Sequence, residues 1–549
     1  MEELCEIRPM KKQNLIFLAL TAAFTLLMSL PWLVPHMGWT ALVGFVPLLI
    51  MERLASEWKT RRFFWWHYLA FVLWNAVTTW WVAGATVGGA VFAILANAIQ
   101  MSLVFESFRF VKRRTSGVLP YIYLLAAWLA WEKYYLTVAE ISWPWLVLGN
   151  AFADTVGLVQ WYSVLGHLGG SLWVLCANLA VFGLMVALSD GRMGAWNVKA
   201  RIAAFAGVLA AIFGPMIWSL SLRYEDPADA PALQVMAGQP NLDPYEKFGS
   251  LTQEQQDMRL MHLLDSAGVP SGPCLVLAPE TFTRYFMLDN VKGQRSFQRY
   301  QNWLSEHPNV TFIFGVSSYE STVSYSAPSL MAYDQGVCDA RGHHIWLTNH
   351  NSAVLTDTLG RYEVYHKSKL VVGTELTPYP KVFVPLENAL GGGLMGKCVG
   401  QDHITCLNML SGDGGIIPIG TAICYESVYG EYCTGYVREG AQLLTVITND
   451  AWWGNTPGYR QHFSYSRLRA IETRRWVARC GNTGISAVID PCGRVQGRTP
   501  WWQPAVLTGS VRLLDGQTFF VRYGDIVGRC SIFLFLLLLA AALFRPRRR

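Results

Sequence analysis

The placement of apolar residues constrains this chain more than anything else in it. Long apolar runs dominate residues 1–222 and 529–544, whereas residues 223–525 have ordinary polar content and short alternating patterns. A membrane-crossing helix needs about 20 mostly apolar residues. Runs of that kind predict spans near 14–34, 38–54, 66–85, 87–108, 117–137, 166–188, 201–222 and 526–544. Charged residues are 15% of the chain, against about 25% in soluble domains, which fits a membrane protein. The expected architecture is a polytopic α-helical membrane bundle of eight transmembrane helices with an α/β domain inserted in it. Residues 1–222 form the bundle of seven helices, 223–525 the inserted domain, and 526–549 the eighth helix with a basic tail.

Positive charge orients the bundle. Arg8, Lys11 and Lys12 precede the first span, and Arg53, Lys59, Arg61 and Arg62 follow the second. Arg109, Lys112, Arg113 and Arg114 follow the fourth; Arg192, Lys199 and Arg201 lie between the sixth and seventh; Arg545, Arg547, Arg548 and Arg549 end the chain. The alternate loops "PHMGW" and "AGATVGG" have no Lys or Arg. Lys and Arg accumulate on the cytoplasmic side, so both termini are expected there and the inserted domain outside. The first apolar run is longer than a signal-peptide core and a second span follows it closely, so it reads as a retained anchor. The stretch "ISWPWLVLGNAFADTVGLVQWYSVLG" (141–166) is too broken to span. Its Trp and Tyr suit the membrane interface, and it reads either as a plug of the bundle or as the wall of a lipid-facing cavity.

The inserted domain alternates strands and helices, an α/β pattern with mixed sheets. Expected strands are "LQVMAGQPN" (233–241), "PCLVLAPE" (273–280), "VTFIFGVSSY" (310–319), "LGRYEVYHKSKLV" (359–371) and "AQLLTVITND" (441–450). A strand pair is expected around Pro418 in "GGIIPIGTAICYES" (414–427). Helices are expected over 252–265 and 459–480, the second with a solvated basic face of Arg460, Arg467, Arg469, Arg474, Arg475 and Arg479. "SLMAYD" and "HHIWLT" have no clear assignment.

Three reactive or costly-to-bury residues sit at strand ends: Glu280 in "LVLAPE", Lys367 in "EVYHKSKLV" and Cys424 in "GTAICYE". A thiol attacks as thiolate, and free Cys has a pKa of about 8.5. Glu is a general base for that proton, and Lys stabilises an oxyanion and raises the thiolate fraction. Together they form a complete acyl-transfer set. Each alone has a plainer reading: a structural Cys, a turn Glu after Pro, a solvated strand Lys.

The stretches "APET" (278–281), "YHKSKL" (365–370) and "CYES" (424–427) resemble the carbon–nitrogen hydrolase (nitrilase) superfamily, which uses Glu, Lys and Cys in that order. "ITNDAWWG" (447–454) and "NTGISAVIDPCGRV" (482–495) are similar to further parts of its pattern. Joined to eight spans and the "WPWLVLGNAF" stretch, the resemblance narrows to the apolipoprotein N-acyltransferase family and covers nearly the whole chain. It implies a nitrilase-like α-β-β-α sandwich in a multi-pass protein of the bacterial inner membrane, the catalytic domain on the periplasmic side. It implies a two-step transfer. Cys424 takes an acyl chain from a phospholipid as a thioester, and the amine of a diacylglyceryl-cysteine apolipoprotein then takes it as an amide, the last step of lipoprotein maturation. Glu280 shuttles the proton and Lys367 holds the oxyanion. Glu375 in "LVVGTEL" matches a family Glu shortly after the Lys, and Tyr425 and Glu426 match the pair after the nucleophile; Glu375, pairing with the Lys, and Glu426, holding the corner, are each needed either for activity or for folding.

The chain departs from the family at "LVVGTE", usually "LVPFGE", and at Phe248, usually Trp. The glycine-rich stretch "LENALGGGLMGKC" (386–398) reads as a flap or a surface loop and lacks the phosphate-loop ending, so no nucleotide is expected. The aromatics of "AWWGNTPGYRQHF" (451–463) read as exposed, either dipping into the membrane or packing on the domain. Eleven cysteines show no metal-ligand spacing, so no metal and no cofactor is expected; disulfides are allowed outside the cytoplasm but not assignable. Expected partners are the phospholipid donor, the apolipoprotein acceptor and the membrane, with no nucleic acid, and the protein is expected to be a monomer. Two rivals share parts of the pattern: a membrane-tethered nitrilase-type amidase using water, and a non-catalytic lipid-binding protein.

Overall fold

The computed structural model describes residues 2–389, 395–412 and 414–544, with side chains described from residue 11. The chain divides into two compact units. One runs up to Ala139, through Trp143–Arg223 and from Asp525 onward; the other comprises Glu140–Ser142 and Tyr224–Gly524.

The first unit is helical. Among the described residues six helices are long and apolar enough to cross a membrane: Lys11–Leu33, Gly38–Glu57, Val87–Lys112, Tyr162–Ser189, Val198–Ser221 and Ile526–Leu543. The third and fifth expected spans are helical too, but fall outside that set. Phe64–Thr79 has 16 residues before tightening into the 3-10 turn Trp80–Gly84. Leu119–Thr137 carries Glu132 and Lys133 among its buried residues. The broken stretch after it forms three short 3-10 turns, Pro144–Leu146, Leu148–Phe152 and Val156–Leu158. Trp145, Leu148 and Phe152 are buried, so within its unit this segment plugs helices. Its backbone is satisfied by the helices around it: Leu148 N donates to Glu132 Oε1 at 2.9 Å, and Tyr162 Oη donates to Gly149 O at 2.8 Å. Gly149 must be glycine, because a Cβ would lie 1.8 Å from His167 O.

The second unit is a sandwich of two mixed sheets. Its strands are β1 (Ala232–Gln239), β2 (Cys274–Leu277), β3 (Thr283–Met287), β4 (Val310–Ser324), β5 (Tyr333–Cys338), β6 (His344–Thr356), β7 (Tyr362–His366), β8 (Leu407–Leu410), β9 (Ile416–Ile423), β10 (Leu443–Thr448), β11 (Val477–Gly481), β12 (Ala487–Ile489), β13 (Val495–Arg498) and β14 (Ala505–Arg512). The first sheet runs β14-β1-β2-β4-β6-β5, with β3 on β4 and β7 on β6; the second runs β13-β12-β11-β10-β9-β8. The centres are parallel, β1-β2-β4 and β9-β10-β11, and the flanks antiparallel.

Period-two alternation builds the layers. Leu233, Val235, Leu275, Leu277 and Ile313 join the cluster shared with Ile419, Ile423, Val446 and Ala478 of the other sheet. The residues between them, Met236, Cys274, Val276, Phe312 and Phe314, join a second cluster with Leu260, Leu264, Phe297 and Leu304 of two helices. These helices are Gln253–Ala267, started by a capping box of Thr252 and Gln255, and Arg295–Glu306. Helices Gly430–Arg438 and Pro457–Thr473 accompany the second sheet. β10 is buried along its whole length, as a central parallel strand should be.

Three expectations need correction. "GGIIPIGTAI" is one strand, not a pair; Pro418 sits one residue before pairing with β10 begins at Ile419↔Leu443, so no bond to that neighbour is lost. The helix expected over 459–480 is Pro457–Thr473; Arg474 ends it at φ 49, and Val477–Gly481 is β11. Apart from exposed Arg460, its basic residues are not a solvated face. Arg469, Arg475 and Arg479 are fully buried, because backbone carbonyls near the second sheet lack donors and a guanidinium offers five. Arg469 Nη1 donates to Val428 O at 2.7 Å, Arg475 Nε to Ala441 O at 2.7 Å, and Arg474 Nη1 to Pro491 O at 2.9 Å. "SLMAYD" and "HHIWLT" contribute to β5 and β6.

Candidate active site

Glu280, Lys367 and Cys424 all stand just past strand ends and converge. β2 delivers Glu280, β7 delivers Lys367, and β9 delivers Cys424 from the opposite sheet. Lys367 Nζ is 3.0 Å from Glu280 Oε1 and 2.9 Å from Glu375 Oε1. Asn351 on β6 bridges the same two oxygens, Nδ2 donating at 2.7 and 2.6 Å. Two donors and two carboxylate oxygens thus form a closed four-membered ring of hydrogen bonds. Glu280 Oε2 accepts from Asn449 N at 3.1 Å, and the Cys424 thiol also donates to this carboxyl.

The corners are built for close approach. β4 passes under Glu280 at Gly315, where a Cβ would lie 2.5 Å from Pro279 O and 2.6 Å from Glu280 Cα. Thr281 and Cys424 have φ 47 and 51, the left-handed conformation that residues other than Gly rarely adopt. Lys247, buried, donates to Glu280 O at 3.3 Å and Thr281 Oγ1 at 3.1 Å and so braces the first corner.

Burial and charge set the protonation pattern. Burial pushes the Glu280 carboxyl up, but the Lys367 ammonium, with hydrogen bonds from Lys367, Asn351 and Cys424, outweighs it and holds the carboxyl below its ordinary value. Burial pushes Lys367 down, but Glu280, Glu375 and Cys424 hold it well above the ordinary lysine value. Burial and then the Glu280 charge push the Cys424 thiol well up, against the opposing pull of Lys367. These directions favour an ionised Glu280 carboxyl, a charged Lys367 and a neutral Cys424 thiol. Lys367 does not keep a standing thiolate, because its charge is shared between two carboxylates.

The remaining sequence-derived residues have distinct places. Glu375 pairs with Lys367, and its Oε2 accepts from Val371 N at 2.8 Å. Glu426 is fully buried. Its Oε1 accepts from Ser368 N and Tyr365 Oη at 2.7 Å each, and its Oε2 from Ile423 N at 2.8 Å. It thereby ties the cysteine corner to the lysine loop. Tyr425 is buried, with Oη donating to Ser142 O at 3.0 Å. Phe248 is 45% exposed and stacks on half-exposed Trp452, ring centroids 5.9 Å apart. The glycines of the expected flap at 391–393 lie outside the described residues; past them, Cys398 N donates to Glu375 O at 2.8 Å. Among the described residues every cysteine is free.

The sequence reading missed Asn351, Lys247 and a buried group of Asp450, His462 and Arg479. The only advance signal for that group was polar residues placed among apolar ones, "TND" after β10 and "QHF" early in a helix. Ligand atoms of Cys424, Asp450 and His462 lie within 4.8 Å of one another, close enough to hold a metal. Asp450 is already engaged by Thr448 Oγ1 at 2.7 Å, His462 Nδ1 at 2.9 Å and Arg479 Nη2 at 2.7 Å. The guanidinium occupies the charge a cation would need, so the group fits a hydrogen-bonded cluster better than a metal centre.

The carbon-nitrogen hydrolase family profile matches residues 269–519, and the profile of the apolipoprotein N-acyltransferase N-terminal domain matches residues 24–180. An apolipoprotein N-acyltransferase of Chlorobaculum tepidum is 30% identical over 525 residues, covering 93% of each chain. One from Geobacter metallireducens is 27% identical over 390 residues, 70% of this chain and 67% of its own. One from Thermotoga maritima is 25% identical over 525 residues, 93% of this chain and 90% of its own.

Proposed function

The chain belongs to the apolipoprotein N-acyltransferase family, and from that premise we propose how its residues carry out N-acylation in lipoprotein maturation. The observation that carries the mechanism is the convergence of the three groups, the Cys424 thiol hydrogen-bonded to the Glu280 carboxyl whose Oε1 lies 3.0 Å from Lys367 Nζ. A phospholipid ester carbonyl enters beside the thiol. Glu280 takes the thiol proton as the Sγ–carbon bond forms. Two of the three ammonium protons of Lys367 are engaged by Glu280 and Glu375, and the third faces the new oxyanion. The ester C–O bond breaks, Glu280 returns its proton to the leaving alkoxide, and a lysophospholipid departs. The α-amine of the diacylglyceryl-cysteine apolipoprotein then attacks the thioester. Its proton passes to Glu280, the C–S bond breaks, and the proton returns to Cys424. Glu375 keeps Lys367 charged, while Glu426 and Tyr425 hold the cysteine corner.

The protein is a membrane protein, and the finer arrangement is part of the same reading. Helices stand at all eight expected span positions, and five basic clusters lie on one side of that count. This supports eight crossings, cytoplasmic termini and a catalytic domain, residues 223–525, on the outer face of the bacterial inner membrane. Exposed Phe248 and Trp452 supply apolar surface for a lipid donor.

The test uses the full-length protein in liposomes containing a phospholipid with a labelled acyl chain and no acceptor. Label should appear on the protein, be released by neutral hydroxylamine, and be absent from Cys424→Ala and Glu280→Ala. A diacylated lipopeptide should discharge it. Folded wild-type protein that takes no label would overturn the lipid donor and leave an amidase acting on soluble amides.

A further inference from the structure

Beside Cys424, with ligand atoms of Asp450 and His462 within 4.8 Å of its Sγ, lies the buried group of Asp450, His462 and Arg479, to which the proposed mechanism gives no task. His462 sits in the helix Pro457–Thr473, with its ring edge on Trp453. One ring nitrogen, Nδ1, is 2.9 Å from Asp450 Oδ1 and 3.2 Å from Arg479 Nη2. The other, Nε2, is 3.0 Å from the backbone oxygen of Cys424 itself and 3.1 Å from Ser427 Oγ. Ser427 Oγ in turn donates to the same Cys424 oxygen at 2.7 Å.

The donor set decides the roles. A carbonyl oxygen only accepts, so Nε2 must donate to it. Ser427 has one proton, which goes to Cys424 O, so towards His462 its oxygen accepts as well. Asp450 on the other side is an acceptor too, its carboxyl held below its ordinary value because its contacts with His462 and Arg479 outweigh its burial. Asp450 therefore aims the ring, and the ring grips Cys424. The grip matters because Cys424 is left-handed, φ 51, and such a residue persists only where its surroundings over-determine it. The direction of its Cα–Cβ bond, and so the path of Sγ towards Glu280, depends on which way this peptide faces.

We infer that His462, aimed by Asp450 and Arg479, is a positioning residue for the nucleophile: its Nε2–H holds the Cys424 carbonyl and thereby points Sγ at the general base. The inference rests on Cys424 being the acyl carrier. It predicts a specific asymmetry between two replacements. The amide nitrogen of Gln reaches the place of Nε2 and can still grip the Cys424 carbonyl, though it loses Asp450. Asn places its nitrogen where Nδ1 was, satisfying Asp450 but not the carbonyl.

The experiment measures the rate of label transfer from phospholipid to full-length protein in liposomes for wild type, His462→Gln, His462→Asn and His462→Ala, with the Tm of each. Misplacing a reacting atom by about 1 Å costs about 100-fold in rate, so His462→Ala and His462→Asn should load about 100-fold more slowly, and His462→Gln should recover most of the rate. The recovery should appear although His462→Gln has the lower Tm of the two amide variants, since it leaves Asp450 short of a partner. An Asn variant loading as fast as, or faster than, the Gln variant overturns the inference and makes His462 only the counter-ion of Asp450. Absence of label on wild type overturns the acyl-carrier reading instead, and this inference with it.

Discussion

Replacing Glu426 by Gln, the mildest change available at that position, should damage the protein severely. Backbone N–H groups face both carboxylate oxygens: Ser368 and Lys369 at Oε1, 2.7 and 3.3 Å away, and Ile423 at Oε2, 2.8 Å away. Backbone donors cannot turn round. Whichever way the Gln amide is set, its NH2 meets a backbone N–H. One hydrogen bond to a charged acceptor is lost, worth about 1.5–3 kcal/mol, and a buried donor is left unpaired, at about 1–3 kcal/mol, so the change costs about 3–5 kcal/mol. For a domain of this size that corresponds to a Tm lowered by about 10 °C. The assay is thermal and denaturant unfolding of the full-length protein in one detergent, wild type against Glu426→Gln and Glu426→Ala. The isosteric variant should be about as unstable as the alanine variant. If Glu426→Gln unfolds within about 1 kcal/mol of wild type, the structural assignment is wrong. Loss of thioester loading in that stable variant would make the charge itself a participant in the reaction.

Other perturbations separate the remaining parts of the site. Glu280→Gln should slow label transfer to Cys424 by about 10²–10⁴-fold, read by quenched-flow loading, and equal rates would remove Glu280 as the base. Gly315→Ala places a methyl 2.5–2.7 Å from Pro279 O, Glu280 Cα and Thr281 N, and should displace the base enough to cut loading about 100-fold while the protein stays folded. Burial lowers the Lys247 ammonium from 10.5 to about 7. Between those values the unfolded chain holds the proton and the folded protein does not, so folding is favoured as pH rises. Wild type should therefore gain stability relative to Lys247→Met across that window, and parallel stability curves for the two would refute the lowering of Lys247 by burial.

Glu280, Lys367 and Cys424 could be picked out because each stands just past a strand end, and a strand end is a local event. β2, β7 and β9 stop where "APE", "YHK" and "AIC" read as stops. What local pattern could not show was the partner across the fold. Arg469, Arg475 and Arg479 look like a charged helix face until the carbonyls of Val428 and Ala441 and the Asp450 carboxylate are brought to them from elsewhere in the chain. Asn351 has the same history: on β6 it is one polar residue among many, and only the register β6↔β7 brings it beside Lys367. Pro418 misled through its usual meaning, since the sequence does not reveal that pairing with β10 starts one residue later. The bundle was read from hydropathy alone, which does not foresee a 16-residue helix ending in a 3-10 turn.

The division of the site between the two sheets has a safety consequence. Glu280 and Lys367 hang from the eight-stranded sheet, whereas Cys424 and Asn449 hang from the six-stranded one. Neither sheet alone holds a nucleophile together with its base. With a phospholipid as donor, as proposed, a chain still folding would be surrounded by esters it must not cleave without an acceptor ready. Because the thiol meets its proposed base only once the two inner faces have packed, the proposed capacity to cleave lipid esters would arrive with the finished domain and not before it.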